Sequence, residues 1–183
     1  MVRKRRYRDA QKRYQLELQR NVLAQPGPHP FVLVLDRLKA GFNVAKILRS
    51  AEFFGARRVY LVDIGPFDPS PAKGALRKVP VRNCTSFAEA HTELAAEGYS
   101  FCLLAPDAST PLVKAQLPEK VAFVLGHEEF GPQLDGRTDW SGLLPVAIPR
   151  FGQTESLNVA VTAGIVMHEW CRRFAGFGVS DVP

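Results

Sequence analysis

The sequence predicts an α/β fold with a mostly parallel sheet flanked by helices. Apolar runs of strand length alternate with segments of helical spacing from residue 31 to residue 174. The first run, FVLVLDRL at residues 31–38, is apolar almost throughout, as in a central strand that is covered on both faces. Glycine and proline separate the segments, and no repeat interrupts them. We therefore expect alternating strand–helix units around one sheet.

The strands are predicted from short runs of aliphatic and β-branched residues that end at a glycine, a proline or a polar loop. They are residues 31–38, 58–64, 81–84, 101–105, 121–126 and 144–148. The loop at residues 65–71 contains three prolines, and residues 133–142 are rich in turn-forming residues. Pro149 ends the last strand, which is apolar and is expected to be buried.

The helices are predicted from apolar residues that recur every three to four positions. They are residues 5–24, 43–54, 72–78 (short and basic), 86–97 and 156–174. The sequence Pro-Gly-Pro at 26–28 ends the first helix, and Gly55 ends the second. Ser86 with Glu89 three residues later forms a capping box. Ser156 is the expected N-cap of the last helix.

The charge excess of the chain lies in its first 20 residues. They contain eight Lys and Arg residues against Asp9 and Glu17, whereas the rest of the chain has 16 basic and 16 acidic residues. Such a segment binds polyanions because it releases their counterions; a solubilising or targeting tail is the alternative. Tyr7 and Tyr14 could stack on unpaired bases or pack on the domain. We expect an extension at residues 1–26 and a domain at residues 27–183.

Several classes of protein are excluded by the sequence. No apolar run approaches the roughly 18 to 20 residues that span a bilayer, and no apolar segment follows the basic N-terminus as in a secretory signal. Cys84, Cys102 and Cys171 are odd in number and far apart, which favours reduced thiols in a cytoplasmic protein. The cysteines have no metal-ligand spacing, and the four histidines form no H-x-x-x-H pair. We expect no metal and no membrane partner.

The common nucleotide-binding motifs are also missing. The sequence DRLKAG at residues 36–41 stands where a G-x-G-x-x-G fingerprint would follow the first strand. Gly126 and Gly131 have the spacing of P-loop glycines, but Pro132 and Gln133 stand where Lys and Ser or Thr are needed. No G-x-S-x-G elbow occurs.

Three segments at strand–helix junctions stand out together. They are NVAKILR at residues 43–49 with Gly55, VLGHE at residues 124–128 with Gly131, and Ile148-Pro149 with SLNV at residues 156–159. In this order and at these intervals they closely resemble the three motifs of the SpoU (TrmH) family of SPOUT RNA methyltransferases. The resemblance covers about residues 31–174. The sequence departs from it at His127, where Asn is common, and at Arg150-Phe151, where Met or small residues are common.

The resemblance implies a SPOUT fold in which the C-terminal segment threads through a loop to form a trefoil knot. Knots are nearly absent from proteins, so pattern alone would not suggest one. It also implies S-adenosylmethionine as the co-substrate, held mainly by backbone groups of three loops. The corresponding positions in this sequence are Ala105, Leu125, Gly126, Ile148 and Leu157. Plain core packing is the alternative for Ile148 and Leu157, and both roles are compatible.

The implied reaction is methyl transfer to a ribose 2′-hydroxyl of tRNA or rRNA. The resemblance puts Arg49 at the hydroxyl; around it stand Asn43, Glu128, Ser156 and Asn158. Arg49 could act as a base, or it could clamp a phosphate and stabilise the developing alkoxide, since guanidinium rarely gives up its proton. Simpler roles exist for three of the others: Glu128 could cap the following turn, Asn158 could satisfy a buried backbone group, and Asn43 could be the N-cap of its helix.

The resemblance further implies a homodimer with the RNA site across its interface. Ala160, Ala163 and Gly164 on the last helix are small enough to allow close approach of a second helix. The basic extension would then capture RNA through Arg3, Lys4, Arg5, Arg6 and Arg8. A non-catalytic RNA-binding or assembly factor that retains the fold is the alternative. It predicts loss of Arg49, Ser156 or Asn158, and all three are present. A small-molecule α/β enzyme would not need the extension.

Overall fold

Six parallel strands form one sheet in the computed structural model, which describes residues 2–136 and 142–176. The strands are β1 (His29–Asp36), β2 (Ala56–Val62), β3 (Val81–Cys84), β4 (Ser100–Leu104), β5 (Val121–Leu125) and β6 (Leu143–Val146). Their order across the sheet is β3-β2-β1-β5-β4-β6, and every neighbouring pair is parallel. The predicted parallel α/β sheet is confirmed. The knot stays a prediction.

Helices cover both faces of this sheet. They are α1 (Val2–Asn21), α2 (Phe42–Phe53), α3 (Phe87–Ala96) and α4 (Val159–Phe174). Successive residues of β1 point into opposite layers, so Leu33 packs with buried residues of α2 and α4 whereas Val34 packs with those of α3. Burial of β1 on both faces explains why its sequence is apolar almost throughout.

Hydrogen bonding at the helix N-termini agrees with the sequence prediction at α3 but not at α2. The Ser86 hydroxyl accepts from the backbone N–H of Glu89, and the Glu89 carboxylate accepts from the N–H of Thr85 at 2.8 Å. This arrangement is close to the predicted capping box. The alternative role of Asn43 as the N-cap of α2 is wrong, because α2 begins at Phe42 after Gly41, which makes no side-chain cap bond. The Asn43 amide is therefore available for other partners.

The predicted basic helix at residues 72–78 does not form. Two short 3-10 turns, Ser70–Ala72 and Ala75–Arg77, stand in its place. Between them, Lys73 and Gly74 have φ values of 52° and 86°. Those left-handed conformations cannot belong to a right-handed helix, so the backbone breaks there.

The last strand and helix differ in detail from the prediction. β6 is an edge strand with two half-exposed residues, Leu144 and Pro145, rather than a fully buried one. Its edge position tolerates Pro145, which has no N–H to donate to a further strand. α4 begins at Val159, and its N-cap is Asn158, whose side-chain oxygen accepts from the N–H of Ala160 at 2.9 Å. The expected cap at Ser156 is wrong by two residues.

The second half of α1 packs against the domain. Tyr14 is buried, and its ring lies edge-on to Phe67 with centroids 5.0 Å apart. The buried Asn21 amide donates to the carbonyl of Val79 at 2.6 Å and accepts from the N–H of Val81 at 2.9 Å. Of the two readings for Tyr14, packing on the domain is the one observed. The side chain of Tyr7 lies outside the described residues.

The described part of the chain contains no helix that is both long and apolar enough to cross a membrane. Cys84, Cys102 and Cys171 are buried and carry free thiols, as the sequence predicted. Burial raises the pKa of the Cys84 thiol to about 11 and that of Cys102 to about 12. These thiols are therefore protonated and unreactive at neutral pH.

Candidate active site

A cavity of about 540 Å³ opens beyond the carboxyl ends of the strands. The loops that follow β1, β5 and β6 converge on it, and β1 and β5 are the neighbours between which the chain order of the sheet reverses. In parallel α/β sheets, this point of reversal is the usual place for a ligand. Five of the predicted site residues line the cavity: Asn43, Glu128, Ser156, Leu157 and Asn158.

Two asparagines and a glutamate link the three loops through hydrogen bonds. Asn43 donates from Nδ2 to Oε1 of Glu128 at 3.0 Å. Its own Oδ1 accepts from Nδ2 of Asn158 at 3.1 Å. Asn158 also caps α4, so the end of the last loop is tied to both helices of the site. Asn43 is thereby brought into contact with two residues that lie 85 and 115 positions later in the sequence.

Glu128 is held as an ionised acceptor. Its Oε2 accepts from the backbone N–H of Lys39 at 3.1 Å, and its Oε1 accepts from Asn43. Partial burial raises the pKa of Glu128, but these hydrogen bonds outweigh burial and hold the pKa below its usual range. A carboxylate with a lowered pKa is a weak base, so this geometry suits orientation and hydrogen-bond acceptance better than proton abstraction.

The loop that carries Glu128 is fixed by close backbone packing. His127 and Gly131 exchange two backbone hydrogen bonds, of 2.9 and 2.8 Å. A Cβ atom added at Gly126 would stand 2.2 Å from the backbone nitrogen of Pro132, closer than any real Cβ contact. Only glycine fits at this position. The protein's own loop therefore accounts for the glycine at residue 126.

Asp36 also holds this loop, and the sequence did not identify it. The residue is fully buried at the end of β1, and its Oδ2 accepts from the backbone N–H groups of Gln133 and Leu134, each at 2.8 Å. Arg37 donates to Oδ1 at 3.1 Å. A carboxylate at the end of an otherwise apolar strand was the available sequence signal, since buried charges need partners.

Arg37 extends this network to the next helix. It pairs with Asp135 at 2.7 Å, and Asp135 accepts from the N–H groups of Phe87 and Ala88 at the start of α3. Burial raises the pKa of Asp135, but the bonds to Arg37 and to these N–H groups outweigh burial and lower it overall. The network fixes the scaffold below the cavity and contributes no residue to its lining.

Four of the five predicted methyl-donor residues lie at or just beyond three adjacent strand ends. Leu104 is in register with Leu125 on one side and with Val146 on the other. The residues that follow these three, among them Ala105 and Gly126, therefore lie side by side at one edge of the sheet. The backbone N–H of Ala105 bonds to the carbonyl of Val146 at 3.0 Å.

The five predicted donor residues differ in exposure. Leu125 and Ala105 are buried, and Ile148 is half-buried against the core, so core packing accounts for their side chains. Leu157 is 51% exposed and lines the cavity, so core packing does not account for it. It is the one member of this set that meets the predicted catalytic residues around the cavity.

Arg49 does not join the other predicted catalytic residues. It lies on the exposed side of α2, two turns beyond Asn43, and is not part of the cavity lining. Among the described residues it has no ion-pair or hydrogen-bond partner, which leaves its guanidinium available. Four of the five predicted catalytic residues thus come together, and Arg49 is the exception.

Of the predicted RNA-contacting residues, Arg8 is exposed on α1. The side chains of Arg3, Lys4, Arg5 and Arg6 lie outside the described part of the structure. Within the described ranges, no group of three or more His, Cys, Asp or Glu side chains is arranged to hold a metal ion.

Known proteins resemble this chain in sequence and in fold. The model of the SpoU rRNA Methylase family matches residues 30–168. A 23S rRNA (guanosine-2′-O-)-methyltransferase, RlmB, of Neisseria meningitidis serogroup B is 33% identical over 164 residues, which are 84% of this chain and 62% of that protein. The chain spans about three fifths of the length of the curated relatives that it matches.

Two solved structures illustrate the fold. The SpoU methyltransferase AviRb of Streptomyces viridochromogenes, solved with AdoMet, has a TM-score of 0.71 at 21% identity over 82% of this chain and 60% of that chain. A structure solved for 2-OH methylation of C/U34 on tRNA has a TM-score of 0.69 at 26% identity over 82% of this chain and 99% of that chain. Because the family model spans most of the sheet and all three loops of the cavity, the chain belongs to the SpoU rRNA methylase family.

Proposed function

We propose that the chain is an S-adenosylmethionine-dependent RNA methyltransferase that acts on a ribose 2′-hydroxyl of rRNA or tRNA. The observation that carries this proposal is the convergence of Asn43, Glu128, Ser156 and Asn158 from three separate segments on one cavity. The names of the similar proteins support the reaction class, since RlmB of Neisseria meningitidis is a guanosine-2′-O-methyltransferase.

S-adenosylmethionine is the proposed methyl donor, and of its five proposed contacts Leu157 lines the cavity. A cavity of about 540 Å³ lies within the usual range for small-molecule sites. The donor supplies an electrophilic methyl group on a sulfonium when it is bound. The proposed contacts are Ala105, Leu125, Gly126, Ile148 and Leu157, mainly through their backbone groups. AviRb, whose structure contains AdoMet, supports the choice of donor through its shared fold.

Leu157 gives the most direct test of donor binding. Its side chain is exposed, so Leu157→Ala should leave the stability of the fold nearly unchanged. We expect the affinity for S-adenosylhomocysteine, measured by calorimetry, to fall by roughly tenfold as apolar contact is lost. Leu23→Ala, at a residue 77% exposed after α1, is the matched control and should bind normally. No measurable affinity in the unaltered protein would end the proposal.

The protein's own groups would orient the ribose. The amides of Asn43 and Asn158 and the hydroxyl of Ser156 can hydrogen-bond to sugar oxygens, and Glu128 keeps Asn43 in place. Arg49 would approach from the outer side of α2 to clamp a phosphate or stabilise the developing alkoxide. Arg49→Lys should reduce turnover at least a hundredfold, because an ammonium cannot replace the planar fork.

The decisive experiment asks whether label reaches RNA. The protein is incubated with total RNA and S-adenosylmethionine carrying a tritiated methyl group. Because a 2′-O-methyl group blocks attack of that oxygen on the adjacent phosphodiester, the label should persist in alkali-resistant dinucleotides. Mass spectrometry of RNase fragments then identifies the nucleotide. RNA binding without transfer would favour the non-catalytic assembly factor, and label in alkali-sensitive mononucleotides would indicate base methylation instead.

The N-terminal extension, residues 1–26, is proposed to capture RNA for the domain at residues 27–183. The packing of Tyr14 and Asn21 supports this, because it fixes the base of α1 while Arg8 and Lys12 stay exposed. Deletion of residues 1–12 removes six basic side chains and leaves the packed half in place. We expect weaker RNA binding with a smaller dependence on salt, and unchanged affinity for S-adenosylhomocysteine.

A homodimer through α4 is the remaining proposal. Val161 is 50% exposed, and a Cβ at Gly164 would meet no heavy atom within 4 Å, which leaves this side of the helix open to a second copy. Gly164→Leu therefore has room in the monomer but would prevent close helix approach. We expect sedimentation at micromolar concentration to give a dimer, and Gly164→Leu to shift it towards monomer. A monomeric unaltered protein would contradict the proposal.

A further inference from the structure

The described ionisable side chains around the cavity all have hydrogen-bond partners except one. Among the described residues, the ionisable side chains that line it are Lys39, Lys46 and Glu128. Lys39 pairs through Nζ with Glu129 at 2.5 Å. Both oxygens of Glu128 accept hydrogen bonds. Lys46 is exposed, and within the described part of the chain its ammonium has no ion pair or hydrogen bond.

The position of Lys46 on α2 relates it to the residues proposed to handle the ribose. Asn43, Lys46 and Arg49 are spaced by three residues, so their side chains follow one another along one side of the helix. The intervening Val44, Ala45, Ile47 and Leu48 are buried in the core. Asn43 and Lys46 line the cavity, and Arg49, one turn further along the helix, does not.

We propose that Lys46 binds the phosphodiester next to the ribose that is methylated, so that the cavity selects a nucleotide within a polynucleotide chain over a free nucleoside. This inference rests on the proposed function. In RNA, the 3′-phosphodiester is attached to the carbon beside the one that carries the 2′-hydroxyl. A flexible ammonium one helical turn from the amide of Asn43 is therefore placed to reach that phosphate when the amide holds the sugar.

The carboxylate of the methyl donor is the competing anion for Lys46. The arrangement favours the phosphate for two reasons. The row of side chains leads outward to Arg49, along the direction in which an RNA chain would continue into solvent. Four of the five predicted donor residues lie instead at or just beyond the ends of β4, β5 and β6, and only Leu157 shares the cavity with Lys46.

The test compares Lys46→Ala with Arg57→Ala, which removes an exposed cation near the amino end of β2, at the opposite end of the sheet. Affinity for RNA is measured by fluorescence anisotropy at several salt concentrations, and affinity for S-adenosylhomocysteine by calorimetry. We expect Lys46→Ala to weaken RNA binding roughly five- to tenfold at low salt. The slope of log K against log salt should fall by about 0.7 to 0.9, the value for one lost phosphate contact. Arg57→Ala should change neither quantity.

The remaining readouts decide between the two anions. S-adenosylhomocysteine affinity should stay within about twofold, and the KM for RNA should rise more than kcat falls. Lys46→Arg, which keeps the charge, should restore most of the salt slope. An unchanged slope in Lys46→Ala overturns the inference, and a loss of donor affinity with a normal slope assigns Lys46 to the carboxylate instead. The proposed function fails separately, if the unaltered protein transfers no label to RNA.

Discussion

The two loops that supply the cavity from its sides are held in very different ways. The loop after β5 is fixed by Gly126 against Pro132, by the paired backbone of His127 and Gly131, and by Asp36. In the loop after β6, residues 149–158 are all exposed. That loop is held near its two ends, where Ala147 pairs with Thr110 and Leu112, and Asn158 bonds to Asn43.

This contrast distinguishes side chains that the fold already holds in place from side chains that a bound ligand would have to position. Glu128 sits on the fixed loop, so its orientation is built with the fold. Ser156 and Leu157 sit on the open loop, where few contacts oppose movement. Loops of that kind commonly close over a bound molecule. We therefore expect substitutions in the fixed loop to act mainly on stability and those in the open loop mainly on binding.

The largest difference in unfolding free energy between the two loops should come from adding one methyl group to each. In Gly126→Ala the new Cβ would stand 2.2 to 2.4 Å from the backbone of Gly131 and Pro132, so the loop must move. We expect a loss of roughly 3 kcal/mol or more in the free energy of unfolding. Gly152→Ala, where nothing lies within 4 Å of the new Cβ, should change it by less than about 0.5 kcal/mol. Urea denaturation of both variants measures this, and equal effects would refute the contrast.

Removal of the buried acceptor at Asp36 should have the next largest effect. Asp36→Ala leaves the N–H groups of Gln133 and Leu134 without their partner. An unsatisfied buried donor costs about 1 to 3 kcal/mol, so we expect a loss of about 3 kcal/mol. Glu155→Ala, on the open loop, removes an exposed carboxylate and is the control; it should fall within about 0.5 kcal/mol of the unaltered protein. Hydrogen exchange at Gln133 and Leu134 should quicken only in the first variant.

The sheet and the major helices could be predicted because the sequence signals for them lie in neighbouring residues. Continuous apolar strands such as β1, the apolar face of α2 and the Ser86 cap each depend on neighbouring residues alone. The failures have non-local causes. Lys73 adopts a left-handed conformation that no local pattern requires. Asn158 caps α4 in place of Ser156, and it also bonds to Asn43, 115 residues away.

The site was predicted through the resemblance rather than through spacing. The resemblance identified Asn43, Glu128, Ser156 and Asn158, which do share a cavity. It did not identify Asp36, whose partners lie 97 and 98 residues away and are backbone groups without a sequence signature. Residues that hold a loop in place are therefore harder to predict than residues that face the ligand.

A smaller effect is expected where the base of the open loop is tied to α4. Glu169 pairs with Arg172 and Arg173, and Arg173 also donates to the carbonyl of Leu112, whose N–H bonds to Ala147. The hydrogen bond from Arg172, followed by that from Arg173, lowers the pKa of Glu169 from 4.5 to about 2. A shift of that size corresponds to at most roughly 3 kcal/mol, and we expect a loss of about 2 kcal/mol in Glu169→Gln at pH 7.

The direction of the pKa shift determines how the contribution of Glu169 to stability depends on pH. Because the pKa of Glu169 is lower in the folded state, its contribution is complete above about pH 4.5 and disappears as the pH falls towards 2. The difference in unfolding free energy between the unaltered protein and Glu169→Gln should therefore close over that interval. A difference that stays constant with pH would mean that packing, and not ionisation, accounts for it.

The smallest effect on stability should come from a substitution that separates two roles of Asn158. Its Oδ1 caps α4 by accepting from Ala160, and its Nδ2 donates to Asn43. Asn158→Asp keeps an N-cap oxygen and adds a negative charge at the helix start, so we expect a change within about 0.5 kcal/mol. It replaces the donor with an acceptor, which turns the Asn43 amide away from Glu128. Methyl transfer should fall sharply in this variant although the fold is intact.

Asn158→Ala should lose the same activity and, in addition, about 1 kcal/mol of unfolding free energy. If Asn158→Asp keeps full activity, the link between Asn43 and Asn158 is only structural, and the open loop contributes to the reaction through Ser156 and Leu157 alone.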